Sequence, residues 1–116
     1  MNLTRLEHHQ HPRPPHHELR QKNVLDSGDR NIGQVANLYV DNDRELQFVD
    51  VVTSGFLGFG KKHHLVPVEA ISEEGSGSIM LGVDQETVER APTLPDPHAG
   101  PDEELQRAIR EHYGHS

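Results

Sequence analysis

From about Arg20 onward the chain is built of short apolar runs separated by polar turns, a texture that predicts a small β domain. Asn23, Val24 and Leu25 begin a first strand, and Asp26-Ser27-Gly28-Asp29 supplies a turn in which Gly28 is suited to positive φ. The second strand is IGQVANLYV, Ile32 to Val40. Its apolar positions, Ile32, Val35, Leu38 and Val40, break strict alternation and, with Gly33, predict a bulge or a barrel corner. Asp41-Asn42-Asp43 turns the chain into LQFVDVVTS, where Phe48, Val49 and Val51 leave the inward face open. GFLGFG leads to a fourth strand over Lys62 to Pro67, and Ala70-Ile71 closes a short turn after it. EEGSGS, Glu73 to Ser78, is a loop, and IMLGV, Ile79 to Val83, is the fifth strand.

Helical signals are confined to the last third. Asp84 fits the N-cap of a short turn, DQETVERA, stopped by Pro92. DEELQRAIREHY, Asp102 to Tyr113, has acids in its first turn, Arg107 and Arg110 later, and Gly114 just beyond its end, the charge order of a helix that matches its own dipole. Leu105, Ala108, Ile109 and His112 share one face, a stripe expected to dock on the barrel or on a neighbouring subunit. The fold class is mainly β: a small barrel of about five to six antiparallel strands, a helical turn after the last strand, and a C-terminal helix. Four segments follow: a flexible His/Pro-rich arm over 1–19, the barrel over 20–92, a proline-rich connector over 93–101, and the helix and tail over 102–116.

Composition narrows the class of function. With 32% hydrophobic residues and three Phe, two Tyr and no Trp, the core is small and aliphatic. A formal charge of −8 works against non-specific nucleic-acid binding, which needs Lys and Arg to neutralise phosphates, and against anionic membranes. The absence of cysteine excludes disulfides and thiol catalysis. No apolar run approaches the ~20 residues of a membrane-spanning helix, and the first residues lack the apolar stretch of a signal peptide, so a cytoplasmic protein is expected. GFLGFGKK, Gly55 to Lys62, fits seven positions of the nucleotide pattern GxxxxGK[ST]. Lys62 stands where the Mg²⁺-binding hydroxyl belongs, and HHLVPV after it reads as a strand, not a phosphate-binding helix. No nucleotide is expected.

The run NVLDSGDRNIGQVANLYVDNDRELQFVDVVTSGFLGFGKKHHLVPVEAI resembles a PRC-barrel domain, the small barrel of the photosynthetic reaction centre H subunit that occurs also in a ribosome maturation factor. The matching features are Ile32-Gly33-Gln34-Val35 after a polar turn, the acidic turn Asp41 to Asp43, the valine-rich strand, GFLGFGKK, and Val66-Pro67 leading to Ala70-Ile71. The ending, from Glu89 on, is similar to the tail of short stand-alone bacterial members. The resemblance implies a PRC-type barrel and an interaction or assembly module with no catalytic motif to carry over. The membrane helix of the reaction-centre subunit and the second domain of the ribosomal members have no counterpart here.

The site candidates follow from residue chemistry. His8, His9, His11, His16 and His17 concentrate imidazoles that suit Zn²⁺ or Ni²⁺ and titrate near neutrality, so a metal- or pH-responsive arm is the alternative function; no cofactor is expected, beyond adventitious Zn or Ni that such an arm can pick up. A proline-punctuated arm supplies no fixed tetrahedral geometry, and the solvated arm is the plainer reading. His63 and His64 are neighbours in a strand and point to opposite sides, one exposed and the other packed or hydrogen-bonded. Phe56, Leu57 and Phe59 either cover the barrel end or meet a partner, as apolar loop patches do. With Leu105 and Ile109 they form the candidate interface of a homo-oligomer, a dimer being the simplest. Asp26, Asp29, Asp41, Asp43, Asp50 and Glu69 offer carboxylates, but Asp26 to Asp43 lie in turns where Asp serves the backbone, DNDRE is too short for a calcium loop, and Ser54 and Ser72 lack a nucleophile elbow, so no enzyme is expected.

Overall fold

The computed structural model describes residues 2–7, 9–12, 18–54, 61–96 and 99–114. Among them seven strands form one sheet that curls into a half-barrel: β1 Thr4–Arg5, β2 Asn23–Leu25, β3 Asn31–Val40, β4 Leu46–Ser54, β5 Lys61–Pro67, β6 Ile71–Glu74 and β7 Ser78–Leu81. The order is β5-β4-β3-β2-β7-β6, with β1 added against β3. Two helices follow, α1 Gln85–Arg90 and α2 Glu103–His112.

The β3–β4–β5 meander carries most of the core. Pairing of β3 with β4 runs from Gln34↔Val52 to Val40↔Leu46, and its register shifts between Val35 and Asn37 and again between Tyr39 and Val40. The first shift is the bulge that the broken alternation predicts: it puts Val35 and Leu38, three apart in sequence, on one face opposite Val51 and Val49. β5 adds His64 opposite Val51 and Val66 opposite Val49 on that face. The reverse face carries Tyr39, Phe48 and Leu65. All of these side chains are buried, which resolves the ambiguity of LQFVDVVTS: the meander is covered on both faces. On the reverse side lie residues 99–101, where a Cβ on Gly100 would stand 3.4 Å from the Tyr39 ring, and α2, whose Arg110 guanidinium lies 4.6 Å from the Phe48 ring centre.

Two features depart from the sequence expectation. β2 pairs with β7 in parallel, Asn23↔Ser78 to Leu25↔Met80: the β3–β4–β5 meander leaves the chain running against β2, and the turn between β6 and β7 brings it back to the direction of β2. The stretch expected as a loop, Glu73 to Ser78, contributes Glu73 and Glu74 to β6, which pairs with β7 across a turn at 75–77. Only Ile71 of β6 is apolar and the three residues after it are exposed, so no alternation announces the strand. Short, bulged and acidic, β6 has the features that keep a sheet edge from recruiting other chains.

The segment read as a flexible arm is corrected where it is described. Thr4 and Arg5 pair with Val40 and Tyr39, and Leu6 and Leu19 are buried in the core. Arg20 holds the segment by its main chain: its guanidinium donates to the carbonyls of Glu7 (2.6 Å) and Gln10, and to the Glu18 carboxylate through Nε (2.7 Å). Arg44 donates to the carbonyl of His11 at 2.7 Å. Glu18, beside Arg20, holds its carboxyl proton less tightly than an ordinary glutamate.

Turn and cap chemistry follows the sequence closely. Asp26 is fully buried; its Oδ1 accepts from the N–H groups of Gly28 and Arg30 (both 2.9 Å) and its Oδ2 from Gln85 (3.0 Å), so one carboxylate joins the β2–β3 turn to the start of α1. These donors keep its pKa below the usual aspartate value. Asp41 repeats the pattern with Asp43 and Glu45. The positive φ in the first turn belongs to Asp29 (66°), not to Gly28. Asp84 and Asp102 cap α1 and α2, accepting from Thr87 (2.9 Å) and Leu105 (2.8 Å).

Candidate functional site

The most concentrated side-chain chemistry among the described residues lies on the reverse face of the meander, where four strands each give one polar residue. Asp50 on β4 is fully buried. It accepts from Asn37 Nδ2 on β3 (2.8 Å) and from His63 Nδ1 on β5 (2.8 Å), while Arg5 on β1 donates to Asn37 Oδ1 at 3.4 Å. The pleat explains the meeting: Asn37 stands opposite Asp50, and His63 is the diagonal neighbour, two residues from Asp50's partner Leu65. A buried carboxylate is retained only when its oxygens are hydrogen-bonded, and here both partners come from adjacent strands. Donation from Nδ1 to the carboxylate fixes the ring of His63, whose side chain is 29% exposed. Tyr39, on the same face, has its hydroxyl held well above the usual titration range, first by burial and then by the Asp50 charge.

His64 faces the other way and is 1% exposed, with Nδ1 lacking a hydrogen-bond partner among the described residues. The expectation that one of the two adjacent histidines is exposed is therefore corrected: one is packed and the other half-buried and bonded. Burial lowers the proton affinity of His64 and Lys62 adds to this, against opposing contributions from Glu89 and Asp50. Its folded pKa lies below the unfolded value, so the unfolded chain takes up a proton first as pH falls. The stability it contributes is complete above the ordinary value of 6.5 and is lost as pH descends from there to the folded value. His64→Leu is expected to remove this loss. Urea midpoints compared at about pH 7.5 and pH 5.5 test it, and an equal decline in the variant would assign the effect elsewhere.

The residues singled out from sequence do not gather into one site. Phe56, Leu57 and Phe59 lie outside the described residues, as do His8, His16 and His17. His9 and His11 are exposed, and His11 Nδ1 is 3.4 Å from Glu18. Among the described residues no three His, Asp or Glu side chains stand together as metal ligands. Ile109 is fully buried within its own chain, so it serves the fold and offers no surface to a partner; Leu105 is partly buried against the same core. Of the two destinations expected for this stripe, the barrel is the one observed. Sequence reasoning named Asp50 only as one of several carboxylates and missed the cluster around it, although an acid in the middle of the valine-rich LQFVDVVTS was the signal that could have found it.

No helix among the described residues is long and apolar enough to cross a membrane. A model of the PRC-barrel domain family matches residues 15–88, taking in the last part of the arm and ending within α1. No curated protein sequence matches the chain.

Proposed function

Since the chain belongs to the PRC-barrel domain family, we propose that it is a non-enzymatic, cytoplasmic interaction module that associates with itself as a homodimer. The observation that carries this reading is how the described carboxylates are used. Asp26 and Asp41 close turns, Asp84 and Asp102 cap helices, and Asp50 ties three strands together. Groups so committed to backbone and neighbours support a structural use of the interior and leave contacts to the exterior. Phe56, Leu57 and Phe59, an apolar cluster in the sequence, are the contact residues this reading proposes, with the exposed part of Leu105 the contribution from α2.

Sedimentation equilibrium is expected to give twice the chain mass of 13.1 kDa. The double substitution Phe56→Ser, Phe59→Ser should return the monomer mass while leaving the circular dichroism spectrum intact. A monomeric wild type, or an unchanged dimer in the variant, would refute the assignment.

A further inference from the structure

The β3–β4 ladder ends at Gln34↔Val52, yet both strands continue past it, β3 back to Asn31 and β4 on to Ser54. At this point a cleft of about 430 Å³ opens, floored by Gly33 and Val52 and edged by Asn23, Asn31, Gln34 and Gln85. Four of the chain's eleven Asn and Gln residues therefore converge on it, and among the described residues no lining side chain is charged. Internal bonds use little of their capacity. Asn31 Oδ1 accepts from the Gly33 N–H at 3.2 Å, Gln34 and Asn23 meet only at 3.5 Å, and Gln85 Nε2 donates to Glu89.

A primary carboxamide offers donors and an acceptor side by side, the same pair that a peptide group presents in return. A sugar ring is matched less well by the described lining, none of which presents an aromatic face. Across Gln85 the cleft adjoins a second depression lined by Asp84, Glu86 and Glu89 against Arg30; Arg90 pairs with Glu86 at 2.5 Å, which leaves Asp84 and Glu89 against Arg30 and a net negative neighbourhood. The geometry points to a binding site for an extended peptide segment of a partner protein, seated by its backbone amides on the four carboxamides, with a Lys or Arg directed toward the Gln85 end. This rests on the reading of the chain as an interaction module and gives that module a second, heterologous surface.

The test uses the full ¹⁵N-labelled chain and the blocked tripeptide acetyl-Gly-Lys-Gly-amide as probe. Titration is expected to shift the side-chain NH₂ signals of Asn23, Asn31, Gln34 and Gln85 saturably. Acetyl-Gly-Glu-Gly-amide should bind roughly fivefold more weakly, the size of one solvent-exposed charge contact. Asn31→Ala with Gln34→Ala, both at exposed positions, should abolish saturation while preserving the rest of the spectrum. Absence of saturable shifts, equal shifts with maltose, or binding retained in the double variant would overturn the proposal. A chain that dimerises but ignores the tripeptide sinks only this inference, whereas a monomer that binds it sinks only the self-association.

Discussion

Gly33→Ala is expected to be among the most damaging single changes in the chain, costing about 3 kcal/mol or more. A Cβ at this position would lie 2.2 Å from the Val52 carbonyl oxygen, 3.0 Å from its carbon and 3.4 Å from Thr53 Cα. All three are main-chain atoms, so no side chain can swing aside. β3 cannot retreat either, because on its other side Gly33 is held in register with Val24 of β2. Against a typical total of about 5–15 kcal/mol, such a loss should lower the melting temperature by on the order of 10 °C or more. Gly82→Ala is the control, since a Cβ there would meet its nearest neighbour, the Ala70 carbonyl oxygen, at an ordinary 3.8 Å. Thermal melts followed by circular dichroism would decide the matter. If Gly33→Ala melts with the control, the close strand crossing is not what shapes this corner.

Phe48→Ala should cost about 3–5 kcal/mol, the range for deleting a buried aromatic ring. Phe48 is fully buried, stands opposite Tyr39 on β3 and Pro67 on β5, and carries the Arg110 guanidinium over its ring. Arg110 in turn donates to Gln47 at 2.9 Å and Glu69 at 3.2 Å. Removing the ring thus leaves a void and also takes away the seat of α2. The cation–ring contact by itself accounts for about 0.5–1 kcal/mol at a partly exposed site. Hydrogen exchange should show α2 amides losing protection beyond that of the β2–β7 strands, while Phe48→Leu keeps most of both. Equal loss of protection in all elements would mean that α2 has no separate dependence on this ring.

The parts of the fold that were legible in the sequence are those whose side chains have only one comfortable place. The β-branched runs in β3 and β4, the turn aspartates and the capping Asp84 read correctly because each states a local preference, whereas Asp102, read as the first residue of its helix, proves to be the cap before it. The bulge after Val35 was legible as a fault in alternation. β1 and β6 were not, because Thr4-Arg5 and Ser72-Glu73-Glu74 carry no apolar period and take their shape from the strand beside them. The parallel β2–β7 pair is likewise a tertiary fact, invisible to a local window. As for the site, the buried Ile109 shows that an amphipathic stripe announces burial without saying against what. The Asp50 cluster draws one residue from each of four strands, so it emerges only once the register is known.

The grip of Arg20 on the residues before it is blind to their identity, since most of what it grasps is the peptide oxygens of Leu6, Glu7 and Gln10. Any amino acid presents such an oxygen. The letters from Glu7 to Gln10 can therefore be rewritten one by one, as an address label is rewritten, while the clasp that fastens the label to the parcel stays unaltered.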